Sequence, residues 1–466
     1  MKNIVLIEPK NKEGHFFKII HMPRLGLPLL GTQLKELGYN VNIYAASENE
    51  LPWNDLLQAD LAGISTTTAT ALEAYKIARR IRLYKIPVIM GGIHATFMPD
   101  EALQYADYVI RGEAENIFPQ LLSSLQKDNV PENIPGVSFW ENGKAVHNPV
   151  PGNLVDVNKA PIPDLDLFAQ GKPLKCIPVI TSRGCPHHCT FCSVTPMFGR
   201  RYRSCSSDKV LEEISRYEGK SVFFCDDNFT ADLKRSKQLL QGMLENNIKL
   251  KSWGAQVRAE VAKDEDFLAL MHSTRGDKVY VGLESINPHT LDLFNKKQDL
   301  DDIEQCISNF HRFNIRIHGM FILGSDSDSV QTIRDTVKFA QKLRLDSVQF
   351  MILTPLPGTP LFQNLKEEGR ILSQNWKLYD GHHVVFQPAQ MSPETLQEET
   401  FRAYKSFYTL GNIFANTLLT GKETAFYRAV GWGLVKYYQK ENKRYTQALK
   451  SLSDGEEDVV LPDNSG

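Results

Sequence analysis

The 466-residue sequence contains no long apolar run and almost no excess of charge of either sign. No stretch approaches the roughly 18 apolar residues that a membrane-spanning helix needs. The start, MKNIVLIEPKNKEGH, lacks an apolar core long enough for a secretory signal peptide. A formal net charge of -2 carries no electrostatic signature of nucleic acid or an anionic membrane. We therefore expect a cytoplasmic protein with no nucleic-acid partner and no transmembrane segment.

Cysteine is also scarce, and an odd number of seven in a large chain argues against a disulfide framework. Four of the seven are scattered along the chain: Cys176, Cys205, Cys225 and Cys306. The other three, Cys185, Cys189 and Cys192, lie within eight residues in the segment SRGCPHHCTFCS. Three thiols in so short a segment indicate a metal site.

Short apolar runs alternate with amphipathic stretches in the first part of the chain. The predicted strands are 4–8, 41–45, 61–65, 87–92 and 108–112. This βα repeat predicts an α/β domain with a doubly wound, Rossmann-like parallel sheet. Ligands of such sheets bind beyond the carboxyl ends of the strands. Those ends carry the candidate ligand-binding residues Ser65, Thr66, Gly91, Gly92 and Glu113.

A second βα series begins near residue 177 and predicts a partial βα barrel. Its expected strands are 179–182, 221–225, 252–257, 278–284, 316–324 and 347–353. The stretch before it is rich in Pro, Asn and Gly and includes PGVSFWENGKAV, a predicted hairpin. The predicted organisation is a first domain at 1–130, a linker with the hairpin at 131–174, the barrel at 175–385, and a helical region with a frayed acidic tail at 386–466.

The three clustered cysteines have the spacing Cys-x3-Cys-x2-Cys and are predicted to follow the first barrel strand. Thiolates are the usual ligands of iron–sulfur clusters, and three of them can hold three irons of a [4Fe–4S] cubane. The fourth iron then keeps an open position, as catalytic metal sites do. The alternative is a structural zinc with His187, His188 or a more distant residue as fourth ligand. No second Cys/His pair is evident, which favours the cluster.

With Phe191 in the aromatic slot, this motif resembles the CxxxCxφC hallmark of the radical S-adenosylmethionine (SAM) superfamily. The resemblance implies that SAM binds the open iron through its amino and carboxylate groups. An electron from the cluster would then cleave SAM to methionine and a 5′-deoxyadenosyl radical. By the same resemblance, SAM contacts lie at successive strand ends, and the candidates are Asp226, Asp227, Gln256, Arg258, Glu284, Ile322 and Gly324. The aspartates could instead cap a helix, and Glu284 could pair with Arg258 structurally.

A doubly wound domain ahead of a radical SAM barrel resembles the cobalamin-binding radical SAM enzymes. The matching segments are GISTTT, GGIHATFMPDEAL and ADYVIRGEAE. The first two begin at the ends of the third and fourth predicted strands, and the last contains the fifth. The first loop departs from the Asp-x-His-x-x-Gly pattern of many cobalamin proteins, because His15 has a different context and His94 reads as a loop residue. We therefore expect cobalamin without a protein histidine on cobalt. A domain that keeps the fold without the cofactor is the alternative.

From about residue 352, TPLPGTPLFQNLKEEGRIL resembles hopanoid methylases and related cyclases. Methylthiotransferases are excluded because they carry three further cluster cysteines, and this chain has none before Cys176. The resemblance implies a methyltransferase that acts on an unactivated carbon of a small-molecule or lipid substrate, through a 5′-deoxyadenosyl radical and methylcobalamin. A flavodoxin- or ferredoxin-type reductant is the implied partner. The alternatives are a non-methylating radical enzyme, such as a cyclase, and a non-catalytic cobalamin- or metal-binding module.

We predict that only Cys185, Cys189 and Cys192 bind the cluster, because these three lie on one loop. Single replacement of each by Ala is expected to abolish most iron and sulfide uptake after anaerobic reconstitution. The same replacement at the four scattered cysteines serves as the control and is expected to leave iron and sulfide content at the native level. Full cluster content in the Cys189→Ala protein would contradict the prediction.

Overall fold

The structure is a computed structural model that describes residues 1–10, 22–152, 154–169, 174–409, 411, 422–454 and 461–462. The described residues form two compact units. The first contains the first strand, Met22–Leu174 and Ser193–Cys205; the second contains Lys175–Cys192 and the chain from Ser206 onward. The loop that carries His15 and most of the predicted acidic tail lie outside the described residues. The predicted domain boundaries stay predictions.

Fifteen strands occur in the described residues. In chain order they are β1 (Asn3–Pro9), β2 (Asn40–Ala46), β3 (Leu61–Ser65), β4 (Val88–Gly91), β5 (Tyr108–Ile110), β6 (Val137–Glu141), β7 (Lys144–His147), β8 (Cys176–Val179), β9 (Ser182–Arg183), β10 (Arg203–Ser204), β11 (Ser221–Phe224), β12 (Ser252–Val257), β13 (Gly276–Glu284), β14 (Arg316–Leu323) and β15 (Ser347–Ile352).

The helices alternate with these strands and then dominate the end of the chain. They are α1 (Gly26–Glu36), α2 (Trp53–Leu56), α3 (Ala71–Leu83), α4 (Ile93–Phe97), α5 (Pro99–Leu103), α6 (Phe118–Leu125), α7 (Val194–Phe198), α8 (Ser207–Ser215), α9 (Leu233–Glu245), α10 (Glu265–Ser273), α11 (Pro288–Leu293), α12 (Leu300–Arg312), α13 (Val330–Lys342), α14 (Pro360–Glu367), α15 (Pro393–Phe407), α16 (Lys422–Glu441) and α17 (Lys443–Ser453). Short 3-10 turns lie at Glu48–Glu50, Thr68–Thr70, Leu165–Leu167, Ala259–Lys263 and Trp376–Leu378.

The sheet of the first unit has the strand order β2-β1-β3-β4-β5-β6-β7, with the first five strands parallel. This confirms the predicted doubly wound sheet. The apolar run Ile4–Ile7 of β1 is at most 5% exposed at each residue, so both faces of this strand are covered, as in parallel sheets flanked by helices. The predicted hairpin is confirmed as β6 and β7, and it extends the sheet as antiparallel strands. Its turn at Asn142-Gly143 has positive φ at both residues, which matches a two-residue hairpin loop.

The sheet of the second unit contains six parallel strands in the order β15-β14-β13-β12-β11-β8, as predicted for a partial βα barrel. One strand boundary was wrong, because the first barrel strand is Cys176–Val179 and not 179–182. Pro178 is tolerated there because β8 lies at the end of the sheet, where one ladder direction is unused. The strand stops where the N–H groups of Thr181 and Ser182 turn to the carboxylate of Asp226.

At the other end of this sheet, tyrosines at the end of α15 cover the unpaired edge of β15. The Tyr408 hydroxyl accepts from Val348 N at 2.9 Å and donates to Val348 O at 2.7 Å, and the Tyr404 hydroxyl accepts from Phe350 N at 3.0 Å. An edge strand with unpaired backbone groups invites unwanted pairing, and these side chains satisfy those groups. Among the described helices, none has both the length and the apolar character needed to cross a membrane.

We predict that Gly276→Ala destabilises the protein by about 1–3 kcal/mol through overpacking. A Cβ at Gly276 would lie 2.4 Å from Met271 and 2.6 Å from the ring of Trp253, whose indole N–H is fixed on Thr274 O. Urea unfolding followed by circular dichroism measures the change.

The control is Gly433→Ala in α16, where an added Cβ would meet nothing within 4 Å. Because glycine costs a helix interior up to about 1 kcal/mol relative to alanine, this variant is expected to be as stable as the native protein or slightly more stable. A native unfolding midpoint for Gly276→Ala would show that the site repacks without cost.

Candidate cofactor-binding sites

The three clustered cysteines lie on the loop that follows β8 and β9. Gly184, with φ of 84°, turns the chain immediately before Cys185, a conformation that favours glycine. A tight turn brings Cys192 N within 3.2 Å of Cys189 O, and all three cysteines are partly exposed. Among the described residues, no three His, Cys, Asp or Glu side chains are arranged to hold a single metal ion.

The aromatic residue of the motif anchors this loop to the end of α11. The Phe191 ring packs against Phe294 at 4.9 Å in an edge-on arrangement. Thr190 donates its N–H to Phe294 O at 3.3 Å, and Asn295 donates its amide to His188 O at 2.9 Å. Phe191 was predicted as a cofactor contact; its contact in the structure is this aromatic neighbour.

Asp226 and Asp227 follow β11, as predicted, but both contact the backbone that leads into the cysteine loop. One oxygen of Asp226 accepts from Thr181 N at 2.7 Å and Ser182 N at 2.9 Å. Asp227 accepts from Gly184 N at 2.9 Å. Burial raises the pKa of Asp226, and the hydrogen bonds from Thr181 act in the opposite direction.

Arg258 and Glu284 do not pair with each other; Lys296 lies between them. The Lys296 ammonium is 2.7 Å from Glu284 Oε1, and the Arg258 guanidinium donates to Lys296 O at 2.5 Å and to Glu260 at 2.7 Å. Glu284 has a positive φ of 60°, at an irregularity in the pairing of β13 and β14. Such a conformation costs energy and recurs at ligand sites. Lys296 carried no recognisable signal in the sequence.

These cations lie close enough to the cysteine loop to act on its thiols. Burial raises the pKa of Cys189, and the positive charge of Lys296, followed by that of Arg258, acts in the opposite direction. Burial also raises the pKa of Cys185, where Arg258 again favours the thiolate. Thiolates are the form that binds iron, and the cations favour that form at Cys185 and Cys189, although burial outweighs them and the pKa of both thiols is raised. The spacing of the three thiols on one loop is what fits a cluster site.

The remaining SAM candidates lie at the ends of their strands, as predicted. Gln256 is exposed between the buried residues Ala255 and Val257. Ile322 is half-buried near the end of β14. Gly324 has φ of 99°, and its N–H donates to the buried carboxylate of Asp328 at 3.0 Å. Neither Asp328 nor its role could be read from sequence spacing.

In the first unit, the loops after β3 and β4 interlock. Thr66 N and Thr66 Oγ1 both donate to Gly91 O, at 2.8 and 2.9 Å. Gly92 has φ of 91°, and a Cβ there would lie 2.4 Å from Thr66 O. Ser65 ends β3 beside this contact, with its hydroxyl 3.1 Å from the same Cβ position. Glycine is therefore required at position 92 for the two loops to meet, because the backbone of Thr66 occupies the space of a Cβ.

The other two polar candidates in this unit have protein contacts. His94 lies in α4 and not in a loop as expected. Its ring is buried, with Nδ1 3.4 Å from Thr68 Oγ1 and Nε2 3.1 Å from the Tyr75 hydroxyl. Glu113 accepts from Val155 N at 3.0 Å and pairs with Arg203 at 2.8 Å. Arg203 belongs to the same unit, and its pairing with Glu113 was not predicted.

The comparisons with known proteins identify the class. Residues 179–340 match the radical SAM superfamily, and residues 21–122 match the B12 binding domain. An uncharacterized methyltransferase of Pyrococcus horikoshii is 31% identical over 439 residues, which cover 90% of this chain and 94% of the relative. The chain belongs to the radical SAM superfamily, in the group of enzymes that carry a B12-binding domain ahead of the radical SAM domain.

Other relatives confirm the predicted resemblance. A bacteriochlorophyllide d C-12(1)-methyltransferase of Chlorobaculum tepidum is 28% identical and covers 87% of both chains. An anaerobic magnesium-protoporphyrin IX monomethyl ester cyclase of Cereibacter sphaeroides is 26% identical, covering 88% of this chain and 71% of the relative. The solved structure of TsrM, a radical SAM methyltransferase of Kitasatospora setae with cobalamin and a [4Fe–4S] cluster bound, matches the fold with a TM-score of 0.70 at 17% identity, covering 94% of this chain and 100% of TsrM. The two domains support a [4Fe–4S] cluster, SAM and cobalamin as cofactors.

We predict that no protein histidine binds cobalt when cobalamin is present. Both ring nitrogens of His94 already lie within hydrogen-bond distance of hydroxyl groups, those of Thr68 and Tyr75. Electron paramagnetic resonance (EPR) of the cob(II)alamin form is expected to be identical in the native protein, His94→Gln and His15→Ala. The His15 variant is included because this residue lies outside the described residues. Nitrogen splitting that disappears in either variant would overturn the prediction.

Proposed function

We propose that the protein is a cobalamin-dependent radical SAM methyltransferase that methylates an unactivated carbon. The observation that carries the proposal is the 31% identity to the uncharacterized methyltransferase of Pyrococcus horikoshii over 90% of the chain, which spans both cofactor domains. The bacteriochlorophyllide methyltransferase, similar over 87% of the chain, supports the same reaction type.

We assign SAM to the strand ends of the second unit. When bound, the cluster would supply the electron that cleaves SAM, and cobalamin would supply a carrier for the methyl group. In this assignment, Cys185, Cys189 and Cys192 hold the cluster, and Gln256, Arg258 and Glu284 orient SAM. The Lys296 ammonium keeps the buried Glu284 carboxylate paired, which limits the cost of burying that charge.

We assign the loops at Ser65-Thr66 and Gly91-Gly92 to cobalamin. Support comes from their position at the carboxyl ends of β3 and β4 and from the match of residues 21–122 to the B12 binding domain. We also assign Glu113, which follows β5, to the cobalamin site. Its ion pair with Arg203 supports a role in positioning the segment after β5.

We infer an apolar, polycyclic small molecule or lipid as the substrate class. One face of the barrel sheet carries half-buried apolar and aromatic side chains together with the buried polar side chains of His318 and Gln349. The half-buried members are Phe223, Tyr280, Met320, Ile322 and Met351. The rings of Phe223 and Tyr280 contact each other at 5.1 Å across β12, which places them on one face. The names of two relatives, a bacteriochlorophyllide methyltransferase and a magnesium-protoporphyrin monomethyl ester cyclase, refer to large ring systems. A flavodoxin- or ferredoxin-type protein is the proposed electron donor.

A second candidate function is radical cyclisation without methyl transfer. It is favoured by one specific observation, the 26% identity to a magnesium-protoporphyrin monomethyl ester cyclase over 88% of the chain. Both functions need the same cysteine motif and strand-end residues, so the products distinguish them. A non-catalytic binding module is excluded by membership of this enzyme family.

We predict S-adenosylhomocysteine and 5′-deoxyadenosine in comparable amounts during turnover. Methyl transfer converts one SAM to S-adenosylhomocysteine, whereas one-electron cleavage converts another to methionine and a radical that takes a substrate hydrogen. One SAM cannot serve both roles. Chromatography of anaerobic reactions measures both products, and 5′-deoxyadenosine alone in cobalamin-replete enzyme would refute methylation and favour cyclisation.

We predict that Glu284→Ala and Arg258→Ala each reduce both products if one SAM site serves both steps. Loss of an orienting contact shifts the reacting atoms, and a displacement near 1 Å can cost roughly 100-fold in rate. The matched control is Glu245→Ala, an exposed carboxylate at the end of α9. Native rates of formation of both products by the Glu284→Ala protein would show that Glu284 does not orient SAM.

A further inference from the structure

The cysteine loop begins where the backbone of β8 leaves its sheet, and buried side chains replace the lost strand pairing. Thr181 N and Ser182 N, two successive donors, both meet Asp226 Oδ1, at 2.7 and 2.9 Å. Such N–H groups, if buried without an acceptor, would cost about 1–3 kcal/mol each. Asp226 is only 2% exposed, so water does not compete for its oxygens.

The hydroxyl of Thr181 has a defined orientation in this network. It lies 2.5 Å from Asp226 Oδ2 and 2.6 Å from Arg235 Nη1. A guanidinium can only donate, so the hydroxyl accepts from Arg235 and gives its single proton to Asp226. Arg235 also donates to Thr181 O at 3.1 Å and is 7% exposed. Thr181 is thus held from its N–H, its carbonyl and its side chain, four residues before Cys185.

We propose that Asp226, Thr181 and Arg235 are positioning residues that set the geometry of the cluster loop, and that Asp226 does not contact SAM. Both oxygens of Asp226 already accept hydrogen bonds from the chain. Asp227 also positions the cluster loop, because it accepts a hydrogen bond from Gly184 N, the backbone donor next to Cys185. This inference rests on the cluster at this loop and is independent of whether the enzyme methylates its substrate.

A second buried carboxylate offers a matched control. Asp328, 1% exposed, accepts from Gly324 N and Ser325 N, each at 3.0 Å, after β14. It therefore has the same kind of hydrogen bonds at another strand end of the same sheet. That loop carries Gly324, a SAM candidate of the sequence analysis, and no cluster cysteine.

The test uses the full-length protein, reconstituted anaerobically and reduced, with EPR recorded before and after SAM is added. Asp226→Asn keeps the shape of the side chain and one acceptor oxygen for Thr181 N and Ser182 N, but it replaces Oδ2, which accepts from the Thr181 hydroxyl, with a donor and removes the negative charge near Arg235. We expect a changed cluster spectrum and a loss of retained iron and sulfide before SAM is present. Thr181→Val removes only the hydroxyl and is expected to show a smaller change of the same kind. Thr181→Ser restores the hydroxyl and is expected to restore the native spectrum.

The control Asp328→Asn is expected to keep the native spectrum without SAM and to show a weaker SAM-induced change. The proposal is overturned if Asp226→Asn and Thr181→Val have native iron content and a native spectrum before SAM but lose the SAM-induced change, because Asp226 would then be a SAM contact. If Asp226→Asn does not fold, as judged by circular dichroism, the two Thr181 variants decide. Absence of any cluster in the native protein would instead contradict the cluster assignment itself.

Discussion

A backbone that leaves a parallel sheet has N–H groups that no neighbouring strand accepts, and the loops of this protein depend on buried side chains that accept them. Asp226 does this for the chain leaving β8, and Asp328 does it after β14. In the first unit, Thr66 Oγ1 accepts from Ala95 N at 3.2 Å and donates to Gly91 O. The strand ends are where ligands of α/β sheets bind, so these hydrogen bonds set the shape of the candidate sites.

Buried charge is the second constraint, and it is met by pairing. Glu284 and Lys296 are each less than 10% exposed at their side chains and contact each other. Arg258 holds the Lys296 carbonyl and reaches Cys189 electrostatically. An ion pair of this kind contributes little net stability, because desolvation offsets the attraction. Its value here lies in presenting ordered charges beside three thiols and a proposed SAM site.

Much of the architecture was predictable because it follows local periodicity. The five parallel strands of the first sheet and the six of the second follow from apolar runs that alternate with amphipathic helices. The cysteine motif was recognisable from its spacing together with its place after the first barrel strand, and the paired glycines at 91 and 92 from their place at a strand end. The first barrel strand was predicted at 179–182 because VITS has a strand-like composition. In the structure the strand ends at Val179, because Thr181 N turns to Asp226, which lies 45 residues further along the chain.

The sequence by itself determined the α/β class, the order of the two cofactor domains and the thiols available for a cluster, since short-range patterns and residue types are sufficient for these. Only the tertiary structure decided which partner each buried polar group has. Asp226 accepts hydrogen bonds from Thr181 and Ser182. Glu113 accepts from Arg203 and Val155, and Glu284 forms an ion pair with Lys296. These partners are 12 to 90 residues apart along the chain. Their choice depends on which strand ends become neighbours, and hydrogen bonds act only over about 3 Å.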